Sequence, residues 1–322
     1  MRLPVGGLRA AGLACLLSLP VAAQQLSYTK GQNISPAYEG WEQGSDGTKY
    51  FLFGYMNRNW EEEIDVPVGP DNGFNVGGAD QGQPTHFLPR RNRFVFRVKV
   101  PSGFGEKDEL IWTLTTHGKT EKAYATLRAD YVVDDVVKAS ETGALGAGTS
   151  SPEVRGNHSP LVHIQEVKAR TVKAGEPVTL VSEVKDDGIP KRRQPSAALL
   201  AAAQQRLAAD PALAAQLRNP AMSPPSRITV GKNLGLHVSW FVYRGPAGGK
   251  ATFDPPQVKA WEDTRAGANS PWAPVWAPPK LPEDGVVPVQ VTFSEPGTYV
   301  LRCRADDGAL VSDEDVTIIV VR

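Results

Sequence analysis

Cysteine is nearly missing from this sequence. Cys15 and Cys303 are the only two, and Cys15 lies in an N-terminal stretch that reads as a cleavable leader. One remaining thiol cannot close an intramolecular disulfide, so buried side chains must hold the fold even in an oxidising compartment. An excess of charge of either sign is also missing. Lys and Arg number 35 and Asp and Glu 35; removing Arg2 and Arg9 with the leader leaves 33 basic residues, a formal charge of −2. That balance gives no field for nucleic acid. Long apolar runs are absent too: Ala10 to Leu19 is too short to span a bilayer, so no transmembrane segment is expected after the leader is removed. Histidine is scarce. His86, His117, His158, His163 and His237 show no metal-ligand spacing and accompany no Gly-x-Ser-x-Gly or His-Glu-x-x-His pattern, so neither a zinc centre nor a triad is indicated.

What is there begins with Arg2 and Arg9, the apolar run, Pro20 and the small residues Val21 and Ala23, the pattern of a secretory signal over 1–23 with a mature start near Gln24. Cys15 sits inside the apolar run with Gly12 three residues before it, which does not suit lipidation. The expected location is secreted or periplasmic. The remaining chain, about 300 residues, suffices for two packed domains.

From 24 to 137 short strands alternate with Gly, Pro, Asn and Asp clusters, the pattern of an N-terminal β-sandwich. Phe94, Phe96, Val98 and Val100 share one face of a strand over 93–100, with Arg93, Arg97 and Lys99 on the other. The series Leu110, Trp112, Leu114 and Ala123, Ala125, Leu127, Ala129, joined through His117-Gly118-Lys119, predict a hairpin. Residues 138–160 shift to Gly, Ser, Thr and Ala and are expected to be a flexible linker. Strands resume from Leu161. Residues 189–227 interrupt them with an Ala-rich stretch carrying helix caps at Ser196 and Asp210-Pro211, read as an insertion in a sandwich loop. Leu236, Val238, Trp240 and Val242 then alternate with His237, Ser239, Phe241 and Tyr243. A long loop follows with Trp261, Trp272 and Trp276. In the strand after Pro296-Gly297, Tyr299, Leu301, Cys303 and Ala305 form a core face, while Arg302, Arg304 and Asp306 form a wet one.

The order of these features resembles the bacterial immunoglobulin-like modules of the PKD and cadherin-like kind over 161–322. Ala174 to Leu180 reads Ala-Gly-Glu-Pro-Val-Thr-Leu, Asp186 to Pro190 reads Asp-Asp-Gly-x-Pro, Val238 to Trp240 reads Val-x-Trp, and Phe293 to Gly308 carries Pro-Gly-Thr-Tyr-x-Leu before Asp-Gly. The resemblance implies a sandwich with Trp240 at its centre and Tyr299 as a tyrosine corner, and it implies no activity. The N-terminal domain resembles no family. The expected class is therefore all-β: two β-sandwich domains, the second immunoglobulin-like with a helical insertion.

Two groups of side chains stand out as candidate sites. Asp186, Asp187, Asp306 and Asp307 precede turn glycines and could gather at one end of the second sandwich as oxygen ligands for calcium, although Asp-Gly is also what an ordinary turn requires. Tyr50, Phe53, Tyr55 and Trp60, with Asn57 and Arg58 between, make a strand apolar on both sides that suits sugar rings or a protein partner, or a doubly covered strand. His86 and Arg90 fall in a segment whose two arginines could hold an anion. No other cofactor is indicated. The function these residues point to is a non-catalytic envelope protein, binding or structural, whose partner is an envelope protein or a polysaccharide. The alternatives are a carbohydrate-binding module using Tyr50 to Trp60, and an accessory subunit of a secreted hydrolase.

Overall fold

The computed structural model describes residues 29–141, 151–167, 170–191, 197–212, 229–231, 234–261 and 280–322. The expected leader, about half of the 189–227 insertion and Trp272 and Trp276 of the long loop lie outside the described residues. The first domain comprises β1 (Ile34–Gln43), β2 (Lys49–Asn57), β3 (Ile64–Asp65), β4 (Asn72–Phe74), β5 (His86–Phe87), β6 (Arg90–Lys99), β7 (Leu110–Thr116) and β8 (Lys119–Ala125). Sheet β1-β2-β6 faces sheet β4-β7-β8 across a core of Ile34, Phe51, Phe53, Phe96, Leu110, Trp112 and Leu114. The alternation in β7 makes this core: every second residue from Leu110 to Thr116 is buried, and Thr116 pairs with Lys119 across the tight turn His117-Gly118. The buried indole of Trp112 donates to Asn72 Oδ1 at 3.0 Å, so the largest side chain of the core leaves no polar atom stranded.

Strand β6 departs from simple alternation. Phe53 pairs with Phe96 and Tyr55 with Asn92, so Arg93, Phe94 and Val95 bulge opposite the single residue Gly54. A Cβ on Gly54 would meet Asn92 O at 2.5 Å and also Glu39 Oε1, so only glycine lets the bulge close. Phe94 is held at φ 48°, a conformation a bulky residue adopts only under constraint. The side effect is that Val95 and Phe96 are both buried, where strict alternation would expose one of them.

The second domain comprises β9 (Leu161–Ile164), β10 (Thr171–Lys173), β11 (Val178–Lys185), β12 (Thr229–Gly231), β13 (His237–Arg244), β14 (Ala251–Asp254), β15 (Lys259–Trp261), β16 (Val286–Phe293), β17 (Gly297–Asp306) and β18 (Val311–Val321). Sheets β10-β18-β17-β13 and β14-β16-β11-β9 stack as an immunoglobulin-like sandwich around Trp240, Leu180, Phe293, Tyr299, Leu301 and Cys303. Tyr299 is fully buried, and its hydroxyl donates to Glu295 O at 3.0 Å across the Pro-Gly corner. Cys303 is a buried hydrophobe whose thiol burial pushes up to about 12. Helix α3 (Ala197–Ala209) lies in the insertion.

Two expectations need correction. The segment 138–160, expected to be a flexible linker, is ordered where it is described. Helix α1 (Asp135–Glu141) runs into its start and helix α2 (Pro152–Arg155) lies within it, and Ala139 and Val154 bury against Ala309 and Leu310. The face of β17 expected to be wet is also covered: Arg302 is 8% exposed and Arg304 5%. Period-2 alternation identified that face correctly as polar, but the first domain takes the place of water.

Candidate functional site

The contact between the sandwiches is built on β13. Val238, Trp240 and Val242 face the core of their own domain, while Phe241 and Tyr243 bury on the opposite face, and Tyr243 joins the core of the first domain. Its hydroxyl donates to Gly82 O, and Thr85 N donates to its carbonyl at 3.2 Å. Arg244 follows with its guanidinium clamped on Asp80 at 2.8 and 2.9 Å and its Nε on Gln83 O at 2.8 Å. Beside it on β17, Arg302 donates to both oxygens of Asp315 at 2.7 and 2.8 Å and to Val95 O in the bulge. Its guanidinium carbon lies 3.6 Å from the Tyr243 ring centroid. Burial opposes the arginine's charge, yet Asp315 and Asp313 outweigh it and raise its pKa. Arg304 pairs with Asp313 through two bonds of 2.7 Å. A fully satisfied fork of this kind makes buried charge tolerable and sets one register for the two domains.

Where the domains diverge they leave a cleft of about 690 Å³. One wall is Leu52, Phe94 to Arg97, Glu42 and Lys138; the other is Tyr243, Arg244, Val300, Arg302, Val311 and Asp315. Its cations are engaged: Lys138 lies 2.6 Å from Glu42, Arg97 3.5 Å from the same carboxylate, and Arg244 and Arg302 hold the aspartates above. Phe94, whose backbone is held at φ 48°, and the aliphatic side chains supply apolar surface between those pairs. Such a lining can hold a ligand by hydrogen bonds to fixed ion pairs and by contact with a ring.

A second cluster borders a separate small cavity. His86 is buried with Nδ1 at 2.7 Å from Asp65 Oδ1 and Nε2 at 3.0 Å from Glu63 Oε2. Burial disfavours its charge, but the two carboxylates outweigh burial and carry its pKa up to about 9. Asp65 Oδ2 in turn accepts from Gly248 N of the second domain at 2.9 Å.

The residues singled out from the sequence fall differently. Phe53 and Tyr55 are buried in the core, so the aromatic platform expected for sugar rings is internal packing. Tyr50 is half-buried under the Arg97 guanidinium, 4.4 Å from its ring centroid. Asn57 is fully buried and donates to Glu62 O at 2.7 Å. Arg58 is exposed and donates to Ser35 Oγ at 3.0 Å. Arg90 is buried over the Trp60 ring at 4.0 Å and donates to Arg58 O at 3.0 Å. Arg58, Trp60 and Arg90 thus come together, while His86 turns instead to two carboxylates and holds no anion with the arginines. Each of the four aspartates caps its own turn, and Asp187 and Asp307 also accept from the neighbouring residues His158 and Asn157. Asp186 accepts from Gly188 N at 2.9 Å, Asp187 from Ile189 N at 2.9 Å and His158 N at 3.1 Å, and Asp306 from Gly308 N at 2.8 Å. Asp307 accepts from Ala309 N at 2.6 Å, Leu310 N at 2.7 Å and Asn157 Nδ2 at 3.0 Å. Calcium wants about six to eight oxygens free to converge, and this donor set does not fit it. Among the described residues no three His, Cys, Asp or Glu side chains are grouped to hold a metal ion. Tyr243, Arg244, Arg302 and Asp65 were missed. The one available signal was β13, which carries large apolar residues on both faces.

No protein-family model and no curated protein matches the chain. Among solved structures it is similar to a conjugative transposon lipoprotein from Bacteroides eggerthii, at 10% identity and TM-score 0.24, covering 50% of this chain and 97% of that one. It is also similar to the D00-D0 domain of intimin, at 9% identity and TM-score 0.23, covering 90% of this chain and 100% of that one. The Yersinia pseudotuberculosis adhesin InvE gives 9% and 0.22, covering 91% of this chain and 60% of that one. Superpositions this loose carry no functional argument, and the fold stands on its own strand pairing. Among the described residues no helix is long and apolar enough to cross a membrane.

Proposed function

We propose that this chain is an exported, non-catalytic binding module of the cell envelope that holds its ligand in the cleft between two sandwiches locked in one register. The observation that carries this reading is the cleft lining: its cations are already paired with carboxylates, and Phe94, on a constrained backbone, lies among them. Paired walls offer no net field to a highly charged ligand, and they present fixed donors and acceptors to hydroxyl groups. An envelope polysaccharide therefore suits the cleft better than nucleic acid, and it moves the carbohydrate reading from the buried strand around Tyr50 to Phe94. The leader over 1–23 supports export to the compartment where such polymers occur.

The test is a glycan array on the mature chain followed by calorimetry with the best neutral oligosaccharide. Phe94→Ala is expected to weaken binding about tenfold, the worth of one ring contact. No retained glycan, or affinity untouched by both Phe94→Ala and Arg97→Ala, would refute the assignment.

A further inference from the structure

The loop Gly245–Gly249 between β13 and β14 is wedged between the two domains. On one side it packs on Tyr299: a Cβ at Gly249 would collide with the hydroxyl, and one at Gly245 would press on the ring at 3.3 Å. On the other side Gly245 N donates to Thr85 Oγ1 at 3.2 Å and Gly248 N to Asp65 Oδ2 at 2.9 Å. Asp65 is in turn fixed by His86, whose second nitrogen meets Glu63. The loop begins where Arg244 and Tyr243 form the cleft wall. Both ring nitrogens of His86 point at carboxylates, and only the imidazolium can donate to both. A neutral ring, itself 9% exposed, would leave a lone pair facing Asp65 or Glu63 at hydrogen-bond distance, the more buried of the two being Asp65 at 21% against 40% for Glu63. The other charged and polar groups around the ring do not replace the lost donor. Lys259, across a small cavity of about 80 Å³ lined also by His86 and Trp240, donates to Asn92 Oδ1 at 2.6 Å. The Tyr299 hydroxyl, near Asp65, donates to Glu295 O.

We propose that Glu63, His86 and Asp65 form a proton-operated clamp that holds the first sandwich to the Gly245–Gly249 loop, shut while His86 is imidazolium and loosened when it loses that proton. An exported protein meets the pH of its surroundings directly, so the stiffness of the cleft wall follows that pH. The clamp stands on the interface geometry and does not depend on what the cleft holds. The sign is that of a raised histidine pKa. Its contribution is complete below the ordinary value of 6.5 and is lost as pH rises through about 9, which bounds the change in opening at roughly 300-fold.

The experiment follows the mature chain, without ligand, between about pH 6 and about pH 10. Histidine ¹³C resonances report protonation, and millisecond deuterium labelling reports exchange of the Gly245 and Gly248 amides, each rate divided by the intrinsic rate at that pH. His86, assigned by its absence in His86→Gln, is expected to stay protonated beyond about pH 8, with loop protection falling on the order of a hundredfold as it titrates. His86→Gln is expected to show low protection that no longer depends on pH. Should that variant fail to fold, Asp65→Asn keeps the ring, removes one carboxylate and is expected to move the titration down towards 6.5. A wild-type His86 titrating near 6.5, or Gly248 protection unchanged to about pH 10, would overturn the clamp.

Discussion

Replacing Arg302 with methionine tests whether the polar face of β17 is an interface or a surface. The substitution keeps most of the aliphatic length and removes the guanidinium. Val95 O then loses its donor inside the contact, and an unsatisfied buried carbonyl costs about 1–3 kcal/mol. The stacking on Tyr243 goes with it, worth about 2 kcal/mol when desolvated. Asp315 loses both bonds but is 35% exposed, so water recovers part of that ion pair and its loss falls below the usual cost of breaking a buried one. These effects share one side chain and do not simply add; together they are expected to cost about 3–4 kcal/mol, or roughly 6–12 °C in Tm. Urea unfolding followed by tryptophan fluorescence and by calorimetry measures both, and loss of the shared contact is expected to split one transition into two. Arg97→Met is the control. That side chain is 60% exposed and its removal is expected to change stability by no more than about 0.5 kcal/mol. A double-mutant cycle with Asp315→Asn is expected to give a coupling of at least about 1 kcal/mol. If Arg302→Met behaves like the control, the face is wet and the domain contact is not what locks the register.

Gly54→Ala is expected to destabilise the first domain by about 1–3 kcal/mol, because the new methyl overlaps the Asn92 carbonyl across the bulge; chemical denaturation within about 0.5 kcal/mol of wild type would mean that β6 can close without it. Asp307 is buried strongly enough to lift its pKa to about 6 against its N–H partners, so the folded state binds the proton more tightly than the unfolded chain. The contribution of Asp307 to stability is therefore expected to fall as pH rises from about 4 to about 6, read as the difference between wild type and Asp307→Asn; a difference of opposite sign would show that the Ala309, Leu310 and Asn157 bonds outweigh burial.

Much of the fold was legible because strand alternation is a local property. Leu110, Trp112 and Leu114 are buried as their spacing requires, and Tyr299 and Trp240 occupy the centre of the second sandwich. The site was not legible in the same way. Tyr50 to Trp60 looked like a binding strand because aromatic density is the same whether a second layer or a ligand covers it. His86 sat next to arginines in the chain, but β3 brings Asp65 and Glu63 to its ring from about twenty residues away, and Arg90 turns to Trp60.

The sequence alone determined that this chain makes strands and which residues share each face, because backbone periodicity acts within a few residues. Only the tertiary structure decided what each face meets. Arg302 and Arg304 alternate as surface residues do, and nothing local to β17 encodes that the Val95 carbonyl stands where water would otherwise be. That choice is made by two domains burying one shared surface, and a pattern of period two carries no information about its partner.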